Sequence, residues 1–159
     1  MNVILFDKNR VNYYPLSLTR PISFFRIGIF TIKEKWEQYY DTVSVSTEEY
    51  LSTKFPLEIR EDNLWIDSRI LPSQALVTEL TSLRVGEALE KEGEVIAFRN
   101  GTFNTDRLNV IDSHSSFVFI RDLSDIFAFN DREIESDFEF LAKRKTKNFG
   151  EDTLNTLIG

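Results

Sequence analysis

The chain has 159 residues, 42% of them hydrophobic and 28% charged, with a formal net charge of −7. That length and composition fit one domain with a core of its own and exclude a disordered chain. The acidic balance argues against a nucleic-acid backbone as partner, and no basic stripe with interleaved aromatics is present. Cysteine is absent and His114 is the single histidine, so disulfides, thiolate zinc sites, Cys nucleophiles, poly-His metal sites and Ser-His-Asp triads are excluded. No apolar run approaches a membrane span, and Val3–Phe6 is too short for a signal peptide. The chain reads as a cytoplasmic protein without a membrane partner.

Val3-Ile4-Leu5-Phe6 is apolar at every position and predicts a strand buried on both faces. It ends at Asp7. Ligands of open α/β sheets sit beyond the carboxyl ends of strands, so Asp7, Lys8, Asn9 and Arg10 occupy a candidate position. Their plainer reading is a solvated loop.

The stretch from Pro15 to Trp36 is the most unusual connection in the chain. It holds two prolines, a glycine and two arginines, Arg20 and Arg26. Pro21 fixes its own φ and pushes Arg20 toward an extended conformation. Two guanidiniums on a stiff segment make an anion clamp, because their planar forks match phosphate. The competing reading pairs both with some of the 26 acidic residues.

Thr31 and Glu34 fit a capping box that opens a helix to Tyr40. Thr42–Ser46 alternates and predicts a second strand, parallel to the first through a right-handed crossover. A short helix then runs to Tyr50. Leu57–Ile59 and Leu64–Asp67 read as further strands. Pro72 opens a helix with Leu76, Leu80 and Leu83 on one face. Gly86–Asn100 reads as a hairpin turning at Gly93, and Asn100-Gly101 as a tight turn. Residues 102–114 read as loop with one short strand, and Phe117–Ile120 as the last strand. Asp122 caps a first turn, and Asn130 with Glu133 predicts a second helix start with Ile134, Phe138 and Leu141 on one face. Residues 1–143 then form the domain, and 144–159 a polar tail or linker.

Neither GxGxxG nor GxxxxGK[ST] is present. Asp7, Asp67, Asp106 and Asp112 are each a candidate Mg²⁺ ligand, since that ion needs only one or two carboxylates beside substrate phosphate. Asp is equally a turn residue.

Three blocks carry a resemblance. YYPLSLTRPISFFRIGIFTIKEKWEQYY, LWIDSRILPSQALVTELTSLRVGEALEKEGEVIAFR and LSDIFAFNDREIESDFEFL resemble, in order, the GlmU-like sugar nucleotidyltransferases, whose N-terminal domain precedes a left-handed β-helix. The resemblance covers most of residues 2–141. It implies an α/β fold: a Rossmann-like three-layer sandwich with a mixed, mostly parallel sheet, like the nucleotide-diphospho-sugar transferases. It implies an NTP and a sugar 1-phosphate as substrates, an NDP-sugar and pyrophosphate as products, and Mg²⁺ as cofactor. It also implies a possible β-helix partner in the same protein. Arg20 and Arg26 would then be the catalytic cations. Arg10, Pro15, Leu16, Ser17 and Pro21 would contact substrate, and Asp7 or Asp112 would sit near the metal. Pro15-Leu16-Ser17 matches the family's Pro-Leu-Thr piece and Pro21 its later proline. Ile22, however, stands where a lysine belongs, and Asp7–Tyr13 lacks the family's glycines. A non-catalytic binding or assembly domain is therefore the rival reading.

Overall fold

The computed structural model describes residues 1–149 of the chain. Its first strand, β1 (Asn2–Phe6), is buried at all five positions, as an apolar run flanked on both edges by other strands must be. Three short 3₁₀ turns follow, Arg10–Tyr13, Leu16–Leu18 and Ile22–Phe24. A two-residue ladder then pairs β2 (Arg26–Ile27) with β3 (Phe30–Thr31).

Helix α1 (Ile32–Trp36) opens on the expected capping box. The Glu34 amide donates to Thr31 Oγ1 at 3.2 Å, and the Thr31 amide donates to Glu34 Oε2 at 2.6 Å. The helix stops at Trp36 rather than Tyr40, and Tyr40 stacks back on the Trp36 ring. Then come β4 (Val43–Ser46), α2 (Glu49–Ser52), β5 (Asn63–Asp67) and α3 (Gln74–Ser82), the last capped by Ser73. Strands β6 (Glu87–Lys91) and β7 (Glu94–Asn100) form the predicted hairpin. Its two turn residues, Glu92 and Gly93, both have positive φ (55° and 80°), the geometry of a two-residue type I′ turn. A short strand β8 (Asn109–Asp112) and a long helix α4 (Leu123–Phe149) complete the fold. No helix among the described residues is long and apolar enough to cross a membrane.

One sheet of six strands has the order β4-β1-β5-β7-β6-β8. Only β7 runs against the others, because β1–β4, β1–β5 and β6–β8 are parallel pairs while β5–β7 and β6–β7 are antiparallel. The carboxyl ends of β1, β4, β5, β6 and β8 therefore share one edge of the sheet. The fold is α/β with a mixed, mostly parallel sheet, as expected. Its larger cluster joins Val3, Leu5, Leu64 and Ile66 of the strands to Trp36, Leu76 and Leu80 of the helices. The smaller cluster, on the other face, joins Ile4, Phe6, Trp65, Ala88 and Phe98. Phe103 of the loop after β7 packs on its rings.

Three expectations are corrected. Leu57–Ile59 is not a strand; the Glu58 carbonyl accepts from Asn2 Nδ2 and Ser44 Oγ, so side chains replace a ladder. Phe117–Ile120 makes one bridge, Ile70 to Phe119, and no strand; its apolar residues pack on the larger cluster instead. Asn130 and Glu133 do not start a helix, because α4 is continuous through them. Ile134 and Phe138 are 42% and 66% exposed. The expected tail of residues 144–159 lies outside the described residues from 150 onward.

The face of α4 turned inward at its middle is polar. Asn130 Oδ1 accepts from the Gly28 amide at 3.0 Å, and Asp137 Oδ2 accepts from the Ile29 and Phe30 amides. The helix thus grips the β2–β3 turn. Gly28 has φ +78°, and a Cβ there would stand 2.5 Å from Asp137 Oδ2 and 2.7 Å from the Glu133 backbone. Gly28→Ala is expected to destabilise the protein by about 2 kcal/mol or more, from strain plus overpacking. Urea unfolding checks this; an unchanged midpoint would show that the helix shifts freely.

Candidate functional site at the carboxyl edge of the sheet

Asp7 follows β1 directly, and its carboxylate is only 2% exposed. Oδ1 accepts from the Ile22 amide at 3.1 Å; Oδ2 accepts from Thr47 Oγ1 at 2.6 Å and from the Arg10 guanidinium. Arg10 also donates to Thr47 Oγ1, the Ser17 carbonyl and Tyr50 Oη, while Ser17 Oγ returns a bond to the Arg10 carbonyl. The structure therefore brings Asp7, Arg10 and Ser17 into one latch across the connector, next to Pro21. Thr47 and Tyr50 complete it, and nothing in the local sequence marks them. Burial pushes the Asp7 carboxyl above the usual carboxylate range, and the bonds from Thr47 and Arg10 do not fully offset it.

Much of the connector's backbone bonds to itself. The amides of Asn12, Tyr14, Leu18, Thr19, Phe24 and Phe25 close its own turns, and that of Ile22 goes to Asp7. A glycine loop would leave such amides free to cradle phosphate; here the cations must come from side chains. Arg20 is exposed and has no partner among the described residues. It stands two residues before the Ile22 amide that Asp7 holds. Arg26 is exposed too, but its guanidinium donates to the Ile29 carbonyl within the β2–β3 turn. Neither arginine is locked onto a carboxylate. Pro15 and Leu16 are exposed, Ser17 and Pro21 buried, and the Tyr14–Pro15 bond is cis.

Asp112 ends β8, exposed, on the same carboxyl edge. Four inter-strand steps separate it from β1, about 19 Å at ordinary strand spacing, so the structure does not bring Asp7 and Asp112 together. Among the described residues no three His, Asp or Glu side chains gather as metal ligands. Asp7 does not fit a metal, since both its oxygens are occupied and it is sealed from solvent.

A second charged chain runs along the same edge. Asp67 is fully buried and accepts a two-pronged bond from Arg69, at 2.9 Å to Nε and 2.6 Å to Nη2. Arg69 reaches on to Glu94 at 2.5 Å, and Lys8 pairs with Glu94 at 2.8 Å. Partial burial raises the Glu94 carboxyl, but Lys8 and Arg69 outweigh it and hold the group below its usual range. Sequence reading singled out Asp67 and Lys8 separately but not the network, because its members lie at three separate strands' ends.

Glu94 forms a wall shared by two clefts. One, of about 380 Å³, opens beside Asp7 and Lys8 and is lined by Phe6, Val95, Phe98 and Phe103. The other, of about 260 Å³, lies between the β6–β7 turn and the segment after β8, with Lys91, Ser115, Ser116 and Arg121 in its walls.

In a comparison of the sequence with known families, a family described as sugar nucleotidyl transferase matches residues 3–146. The chain belongs to this sugar nucleotidyl transferase family. The match spans β1, the connector, both clefts and most of α4, so the carboxyl edge lies wholly within the family domain. A comparison with curated proteins gave no match.

The charges of this transferase domain make it acid-sensitive. Asp62 is held below its usual range by Arg99. Glu79 is raised by burial but lowered further by Ser113, the His114 amide and Ser115. Carboxyls depressed in the fold stabilise it fully at neutral pH, and that contribution is lost as pH falls through their folded pKa values. Asp7, whose pKa is raised, runs the other way. Five depressed groups, counting Glu34, Glu94 and Asp122, against one raised give a net loss on acidification. The thermal midpoint is expected to drop as pH falls below about 4.5; a flat profile between pH 6 and 3 would contradict it.

Proposed function

We propose that the domain makes a nucleotide sugar. A phosphate oxygen of a sugar 1-phosphate attacks the α-phosphorus of a nucleoside triphosphate. The bond from that phosphorus to the bridging oxygen breaks, and pyrophosphate leaves with its electron pair. The observation that carries this reading is the family match lying over a carboxyl edge with two adjoining clefts, since a two-substrate condensation needs two neighbouring subsites.

Arg20 is the phosphate-binding cation in this reading, because it alone of the connector's arginines is both exposed and uncommitted. Arg26 joins it when its guanidinium leaves the Ile29 carbonyl. Arg10 and Ser17 do not touch substrate; with Asp7 they hold the connector that presents Pro15, Leu16 and Arg20. The cleft with Lys91, Ser115, Ser116 and Arg121 takes the sugar phosphate, with Arg121 turning from Glu92 and Lys91 from the Ser113 and Ser115 carbonyls to meet its charge. Mg²⁺, when bound, neutralises phosphate charge. It fits this chain only as an ion carried by the triphosphate, since Asp7 is sealed and Asp112 stands about 19 Å from β1.

A second reading rests on the connector's self-satisfied amides: a domain that keeps the fold and binds without transfer. Pyrophosphate release decides between them. Incubation with the four NTPs, a panel of sugar 1-phosphates and Mg²⁺ is expected to release pyrophosphate for at least one pair, and Arg20→Ala to slow it at least tenfold. No release from any pair leaves the binding reading.

A further inference from the structure

The cleft beside β1 has a composition that the transfer reaction by itself does not explain. Its walls are rings and a branched chain: Phe6, Val95, Phe98 and Phe103. Phe103 is 55% exposed, yet it rests on three aromatic neighbours. Its centroid lies 5.3 Å from Phe6, 5.1 Å from Trp65 and 5.5 Å from Phe98, each nearly edge-on. An aromatic ring so placed has exposed surface on which a flat ring can stack. The ring is thus held in place while more than half of it remains open to solvent.

Charge sorts what can enter. Every charge at its rim is already met: Asp7 by Arg10, and Glu94 by both Lys8 and Arg69. An apolar floor with no uncommitted cation offers a phosphate nothing and admits a neutral flat ring. Thr105 lines the same cleft and has no partner among the described residues, so its hydroxyl is available to a ring's polar edge. Of the two substrates of the proposed reaction, only the nucleotide has a part that is flat and uncharged.

We propose that this cleft is the nucleobase subsite and that Phe103 is the residue the base stacks on. The inference rests on the reading of the domain as a nucleotidyl transferase, and deepens it by saying which cleft holds which substrate. The base lies against Phe103 over the smaller core cluster. The phosphates then point out across Lys8, toward the connector and its free Arg20.

Trp65 gives the test a local probe. It is 1% exposed and touches Phe103, whereas Trp36, fully buried, belongs to the cluster on the other face of the sheet. Ribonucleosides, which lack phosphate, are titrated into the full chain and tryptophan emission is followed. At least one is expected to change emission saturably, and glucose 1-phosphate is expected not to. Phe103→Ala should weaken nucleoside binding roughly tenfold, in line with the worth of one base–aromatic stack. Phe103→Trp should preserve binding. In turnover, Phe103→Ala should raise KM for the triphosphate and leave KM for the sugar 1-phosphate unchanged. Saturable nucleoside binding that Phe103→Ala leaves intact overturns the subsite, as does an absence of nucleoside binding alongside pyrophosphate release; in the latter case the transfer reading stands. Nucleoside binding lost in Phe103→Ala, with no pyrophosphate release by the wild type, supports the subsite and overturns transfer.

Discussion

Lys35→Ala is expected to cost about 3–5 kcal/mol of stability, the usual consequence of removing one partner from a buried ion pair. Lys35 is 4% exposed, and its ammonium sits between Glu133, at 3.1 Å, and Asp137. Without it two carboxylates on adjacent turns of α4 face each other with no cation between them. Asp137 would still accept from the Ile29 and Phe30 amides, but two hydrogen bonds do not replace a charge. A domain of this size is stable by about 5–15 kcal/mol, so the loss is a large part of the whole. The urea midpoint should fall with little change in slope. A variant that combines Lys35→Met with Glu133→Gln and Asp137→Asn should recover much of the loss, because it removes the orphan charges as well as the pair. If Lys35→Ala unfolds at the wild-type midpoint, α4 is not fastened by this contact.

Asp7→Ala is expected to cost a similar amount, about 3–5 kcal/mol, by stranding a buried guanidinium. Arg10 is 9% exposed and would keep Thr47, Ser17 and Tyr50 as partners but lose its only buried anion. The Ile22 amide would lose its acceptor as well. Burial already raises the Asp7 carboxyl, so the pair returns less than its desolvation costs. Its contribution is to position the connector, and breaking it is still expensive because the remaining charge keeps only Glu48, exposed and 3.9 Å away, as an anion. Asp7→Ala with Arg10→Ala should therefore be less destabilised than Asp7→Ala alone, a coupling that a double-mutant cycle reads directly. If instead Asp7→Ala folds as well as wild type and abolishes pyrophosphate release, Asp7 acts on the substrate, and the latch described here is wrong.

Local signals in the sequence were sound where the physics is local. The apolar run of β1, the Thr31–Glu34 capping box and the turn at Gly93 all depend on neighbours a few residues apart, and all are present. The Asn130–Glu133 pattern failed for the opposite reason. Both side chains are capable of capping, but Gly28 and Lys35, about a hundred positions away, claim them. Phe117–Ile120 had the composition of a strand and found no strand edge to pair with. The candidate site was half legible: Asp7, Arg10, Arg20 and Ser17 stood out, and three of them proved to share a latch. Glu94, Arg69 and Phe103 did not stand out, because only the sheet order brings the ends of β1, β5 and β7 together. A lone phenylalanine in the polar stretch Gly101–Asp106 was the one trace of the aromatic cleft.

The thermal stability of the full chain in the presence of nucleoside triphosphates tests most directly whether this edge of the sheet receives a nucleotide. With Mg²⁺ and a triphosphate at about 100 times its Kd, unfolding should become harder by about 2.7 kcal/mol, and Arg20→Ala should shrink that gain while leaving the unliganded midpoint in place. A midpoint that no triphosphate moves, with or without a sugar 1-phosphate, would contradict nucleotide binding at the carboxyl edge.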